Sequence, residues 1–175
     1  MIKKALSFTI IFLFTLIYSC EQIEELRTWD LNTEAAKDFE VFITEEDPLA
    51  IDETFTISLD DPDVQENINK IDEWKVNKVT YQIWTYTGPP EGDVMLSGTL
   101  ELGPVDVSLS NVNLNQLFMQ QTVEELDLTD QELVNLANAL RSTKSITGSL
   151  VGEVSDKPVY FIIYVKFDLT LRVKA

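Results

Sequence analysis

The chain contains no histidine, and its only cysteine is Cys20. Without histidine it can build no Ser-His-Asp triad, no H-E-x-x-H zinc site and no imidazole general base. One cysteine allows no internal disulfide, and an unpaired one in an exported chain calls for its own explanation. The S-x-x-K spacing of serine–lysine catalysis is missing too, since Ser142 and Ser155 lie one residue too close to Lys144 and Lys157. Basic residues are scarce, 13 against 30 acidic ones, for a formal net charge of −17. Such a surface repels phosphate backbones and anionic headgroups, so nucleic acid is not an expected partner. The same charge serves solubility, or attracts cations or a basic partner.

Carboxylate pairs remain as a catalytic route, with separations of about 5–9.5 Å in glycosidases. Thirty acids guarantee some close pairs by chance, and no one of them stands out by its setting. Asp60, Asp61 and Asp63 lack the glycine and spacing of a calcium loop, and helix capping accounts for them. Glu45-Glu46-Asp47 reads as a solvated loop. No catalytic residue, metal ligand or cofactor is therefore expected.

The amino-terminal end reads as a targeting segment. Lys3 and Lys4 open it, residues 5–18 are apolar or nearly so, and Ser19 precedes Cys20. A positive start, a short apolar run and a small residue before the cut are the parts of a secretory signal. An uncleaved transmembrane helix wants about 20 apolar residues, and this run stops sooner, just before Glu21, Glu24 and Glu25.

Leu16-Ile17-Tyr18-Ser19-Cys20 resembles the lipobox of bacterial lipoproteins, in the looser form of Bacteroidota. The resemblance implies cleavage before Cys20 and acylation of its thiol and new amino group. Each buried acyl methylene contributes about 0.8 kcal/mol, and two or more chains hold a protein durably on a bilayer. The implied partner is a lipid bilayer reached through the acylated Cys20, in the cell envelope. By the same resemblance, the absence of Asp after Cys20 fits the outer membrane; the choice between periplasmic face and cell surface stays open. Lys3 and Lys4 leave with the leader, so the mature chain has 11 basic residues against 30 acidic ones, a net of −19. The expected organisation is a signal peptide over 1–19, a lipidated cysteine and acidic tether over 20–36, and one domain over 37–175. Trp29 in the tether suits docking on the domain edge better than ligand contact.

Alternation of period two dominates the domain. Phe39, Val41 and Ile43 share a face, as do Phe55, Ile57 and Leu59, then Val79, Tyr81 and Ile83, then Val94, Leu96, Gly98, Leu100 and Leu102. The turn-forming residues 88–93 between the last two predict a hairpin. After Gly103-Pro104 the pattern runs through Val105, Val107 and Leu109 and slips at Ser110-Asn111, predicting a bulge or break. From Val159 to Val173 every odd position is apolar, and Tyr160, Ile162 and Tyr164 make the first half apolar on its second face. That predicts a long strand covered on both sides at its start.

Two helices are expected. Asp61 caps one, with Pro62 in its first turn and Val64, Ile68 and Ile71 on one face. Thr129 and Glu132 form a capping box for the other, whose stripe is Leu133, Leu136, Ala137 and Leu140. Residues 115–121 suit a shorter helical turn. Many strands, few helices and no βαβ rhythm predict a mainly β fold, an antiparallel β-sandwich with one or two short helices. The pattern over residues 37–175 is similar to small β-sandwich lipoproteins of Bacteroidota without an assigned activity.

Trp84 and Tyr86 fall, by unbroken alternation, on the face opposite Val79, Tyr81 and Ile83. Surface aromatics beside a loop stack on sugars or on a protein, or are covered by a helix or the tether; both readings stand. The functional expectation is a non-catalytic binding or structural module that engages an envelope protein. The alternatives are glycan or small-ligand capture through Trp84 and Tyr86, and a carboxylate-dependent hydrolase.

Overall fold

The computed structural model describes residues 28–89 and 92–174. The leader, Cys20 and residues 21–27 of the expected tether lie outside the described residues. The first strands are β1 (Thr28–Ile43), β2 (Ala50–Ser58), β3 (Ile71–Thr87), β4 (Met95–Leu102) and β5 (Val105–Asn113). β6 (Val123–Glu125), β7 (Ser145–Val154) and β8 (Val159–Lys174) complete them. Three short helices intervene: α1 (Pro62–Asn67), α2 (Leu114–Gln120) and α3 (Asp130–Thr143). The strands form two antiparallel sheets of four, ordered β1-β8-β3-β6 and β2-β7-β4-β5. This is the expected β-sandwich, with one buried cluster drawn from both sheets and from α3.

β8 is the spine of the first sheet. Its odd-numbered side chains, Val159 to Val173, are each 2% exposed or less. It pairs along its whole length with β1 and along nearly all of it with β3. The β1 register runs unbroken from Thr28 opposite Lys174 to Ile43 opposite Val159. Residues 28–36, expected in the tether, therefore belong to the sheet. Their inward residues are Leu31, Thr33 and Ala35; Thr33 is polar and Ala35 small, so the alternation fades after Leu31 and pairing with β8 decided the matter. Trp29 lies on this strand, 44% exposed, opposite Val173.

Residues 88–93 do not close a hairpin. β3 pairs with β8 and β6, whereas β4 pairs with β5 and β7, so this connection crosses from one sheet to the other. Turn residues signal a reversal but not which sheet receives the next strand. The first helix is also shorter than expected. Asp61 accepts from the Asp63 and Val64 amides, but α1 ends at Asn67 and Ile71 opens β3.

The remaining local signals hold. Thr129 and Glu132 make the reciprocal capping box, and α3 buries Leu136, Ala137 and Leu140 against β3 and β7. Residues 115–121 lie almost wholly in α2, capped by Asn113. The slip at Ser110-Asn111 is a bulge, with Leu109 opposite Gly98, Val112 opposite Leu96, and Asn111 at φ 53°. Asparagine tolerates that left-handed conformation better than most residues.

Two close approaches demand glycine. Gly98 and Gly152 face each other, and a Cβ on either would sit within 2.4 Å of the neighbouring backbone. Gly148 leaves room for Phe55, whose ring would lie 2.5 Å from an added Cβ. Phe55 needs that space because it stacks on Phe39 of the other sheet, with ring centroids 4.3 Å apart. Gly148→Ala should lower stability by about 1–3 kcal/mol in urea denaturation, the usual cost of overpacking; an unchanged midpoint would refute this account. Hydrogen bonds from the Thr129 hydroxyl and backbone hold the Glu132 carboxyl below its ordinary value of 4.5. The capping box therefore contributes fully above that value and fades as pH falls through the lower folded one. The stability gap between wild type and Thr129→Ala should narrow from about pH 5 to about pH 3.

Candidate functional site

The outer face of the β1-β8-β3-β6 sheet divides into two halves. One half is ionic. Asp30 and Glu73 flank Arg172 at 3.5 and 3.0 Å, and Asp72 meets Lys174 at 2.8 Å. Lys166 lies 3.4 Å from both Glu34 and Asp168, and Lys78 lies 3.5 Å from Asp168. Partial burial alone would pull Lys166 down, but Asp168 and Glu34 outweigh it and raise the ammonium above its ordinary range. Exposed pairs of this kind are each worth about 0–1 kcal/mol. Their main effect is that each of the five carboxylates of this half has a cation within 3.5 Å.

The depression beside this ladder, lined by Asn32, Thr33, Glu34, Asp61, Asn77, Lys78 and Asp168, is shallow and open. Its polar groups are already engaged. Thr33 donates to the Asp61 carboxylate that caps α1, and Asn77 and Asn32 both bond Thr170 at 2.9 Å. Among the described residues no three acidic or other ligating side chains are grouped to hold a metal ion.

The other half is aromatic. Tyr160, Ile162 and Tyr164 project from β8 and are half-buried. Phe42 on β1, 67% exposed, meets the Tyr160 ring edge-on at 6.2 Å. Trp84 on β3, 46% exposed, stacks on Tyr164 with centroids 4.0 Å apart and planes 13° apart. The Trp84 indole N–H donates to Gln82 Oε1 at 3.0 Å. Val123 on β6, opposite Gln82, extends the patch. Carboxylates on β1 flank it: Asp38 is opposite Tyr164 and Glu40 opposite Ile162, each near enough to a tyrosine to disfavour its ionised form. Partial burial, and then Glu34, push the Tyr164 phenol above its ordinary value. The start of β8 is thus apolar on both faces without a second layer over its outer side among the described residues. Lateral neighbours on β1 and β3 cover it only in part.

Trp84 and Tyr86 do not share a face. β3 sets 17 residues against 14 of β8, with register shifts at Ile71/Glu73, Val76/Lys78 and Ile83/Thr85. The third shift turns both Trp84 and Thr85 outward and returns Tyr86 inward, opposite Phe161. Tyr86 packs near Phe118 of α2 and under Gly88, where an added Cβ would fall 2.1 Å from its hydroxyl. Burial raises its phenol above the ordinary value. The expected aromatic pair is therefore corrected: Trp84 is accompanied by Tyr164, not Tyr86. Alternation over 159–174 had already placed Tyr160, Ile162 and Tyr164 together, but as a covered face. Phe42 was the residue whose role strand pairing alone revealed, since it shares a row with Tyr160.

The two aromatics should separate on substitution. Trp84→Ala should cost at most about 1 kcal/mol, as for an exposed site with one aromatic contact. Tyr86→Ala should cost about 2 kcal/mol or more, because it empties packed space between Phe118 and Gly88. Equal losses in urea denaturation would contradict the assignment of opposite faces.

No family model and no curated protein matches the chain. Among solved structures, a chain titled "Crystal structure of decameric BFDV Capsid Protein" is similar over 83% of this chain and 99% of its own length. The identity is 10% and the TM-score 0.37.

Proposed function

We propose that this protein is a membrane-anchored envelope lipoprotein whose sandwich acts as a non-catalytic interaction module, with the aromatic half of the outer sheet as its contact surface. The observation that carries this reading is the chemical division of one sheet face. In its ionic half each of the five carboxylates is paired with a cation, while Phe42, Trp84, Tyr160, Ile162 and Tyr164 leave apolar rings and edges toward water. Aromatic residues concentrated on an exposed face are the usual anchors of recognition. The geometry of β1 fits a tether at Cys20. The chain enters the sheet at Thr28, at the ionic end, and Phe42 lies fourteen residues further along the same strand. At about 3.3 Å per residue that separation is on the order of 45 Å, so a tether at the ionic end presents the rings away from the bilayer.

The lack of histidine and the commitment of Cys20 to acylation support recognition rather than catalysis. Glycan capture, the alternative, keeps Trp84 but must take Tyr164 as its second ring.

Two measurements test the proposal. Palmitate labelling in native cells should mark the wild type and be absent from Cys20→Ala, which should leave the membrane fraction; an unlabelled wild type would end the lipoprotein reading. Cross-linking in intact envelopes should give a discrete adduct that Trp84→Ala with Tyr164→Ala abolishes. Persistence of that adduct in the double variant would move the contact surface elsewhere.

A further inference from the structure

The aromatic half has a second property, its charge. Asp38 and Glu40 stand on it, and no Lys or Arg occurs in residues 38–43, 79–87 or 159–165, which build it. Lys37 lies 3.9 Å from Asp38, and Lys166 acts electrostatically on Tyr164. Glu40 lies close enough to Tyr160 to disfavour its ionised phenol, and among the described residues it forms no ion pair. Lys166, one row below Tyr164, is committed to Glu34 and Asp168. In one half of the sheet every carboxylate named above has a cation within 3.5 Å, whereas beside the rings Asp38 has one only at 3.9 Å and Glu40 forms no ion pair among the described residues.

We infer, building on the interaction-module reading, that this surface docks a polypeptide segment carrying Lys or Arg among apolar residues. Ring faces attract cations through their quadrupole, most strongly at Trp, and neighbouring carboxylates add to that attraction. Trp84 and Tyr164 offer the rings, and Asp38 and Glu40 the carboxylates, along one row and its neighbour. A second copy of this chain is the wrong occupant, because it would bring the same carboxylates and the mature chain's net charge of −19 against themselves. A neutral sugar would stack on the rings and leave the charge unanswered. The outer face of the other sheet supplies an internal control. Asp52, Glu101, Asp106 and Glu153 stand there without Lys, Arg or an aromatic ring, so charge alone would favour that face equally.

The test is isothermal titration of the full-length lipidated chain in neutral detergent micelles. The probes are a hexapeptide of alternating arginine and leucine, its glutamate–leucine counterpart and a neutral glucan hexasaccharide. The arginine peptide should bind, weaken with added salt, and lose about tenfold or more in affinity both in Trp84→Ala/Tyr164→Ala and in Asp38→Asn/Glu40→Gln. Asp52→Asn/Glu101→Gln should leave its affinity unchanged, and circular dichroism should show all three variants folded. Equal weakening by the control variant, or equal binding of the glutamate peptide, would overturn the inference. Binding of the hexasaccharide alone, lost in Trp84→Ala/Tyr164→Ala, would overturn it while leaving the interaction surface in place. If none of the probes responds to Trp84→Ala/Tyr164→Ala, the inference falls, and the envelope cross-linking then decides the surface separately.

Discussion

The fold depends on one constraint, that the inner edge of β8 stays dry. Eight side chains from Val159 to Val173 are sealed between the sheets, and each is worth about 1.5–3 kcal/mol relative to exposure. Keeping them sealed requires a paired strand on both sides, since an unpaired buried backbone is costly. β1 supplies one side without interruption, and β3 supplies the other with three extra residues accommodated as bulges. The second sheet then closes the core, with Phe55 stacking on Phe39 across the gap that Gly148 leaves open.

The outer face follows from the same strand. A residue between two buried neighbours on β8 has to point outward, so Tyr160, Ile162 and Tyr164 are surface residues whatever their hydropathy. Further along, the outward positions are Lys166, Asp168, Arg172 and Lys174, which find counter-charges on β1 and β3 at 2.8–3.5 Å, and Thr170, which hydrogen-bonds Asn32 and Asn77. The strand that organises the core thereby also sorts the surface into an ion-paired half and an aromatic half flanked by Asp38 and Glu40. The proposed recognition role uses no element beyond those the core already needs.

Bulges decide which aromatics meet. Trp84 follows the inward Ile83 and so faces out to stack on Tyr164, while one extra residue at Ile83/Thr85 sends Thr85 outward as well and drives Tyr86 inward under Gly88. An interrupted period of two is hard to read from sequence, because the inward residues of β3 recur at spacings of three and two: Ile71, Trp74, Val76, Val79, Tyr81, Ile83 and Tyr86. The bulge at Asn111 was legible, since it lies between clean runs in Val105–Leu109 and Val112–Leu114.

The sequence alone determined what depends on neighbours a few residues away. Those features are the long alternation of β8, the cap at Asp61, the capping box at Thr129, the slip at Asn111, the acidic charge and the closure of histidine chemistry. Tertiary structure decided what depends on which strands lie side by side. Residues 28–36 joined the sheet because β8 needed a partner, and the turn at 88–93 became a crossover because β4 pairs in the other sheet. Likewise Phe42, Trp84 and Tyr164, far apart in the chain, became one surface because β1 and β3 flank β8. Pairing is a contest between distant segments for the same buried edge, and its outcome is not written in either segment alone.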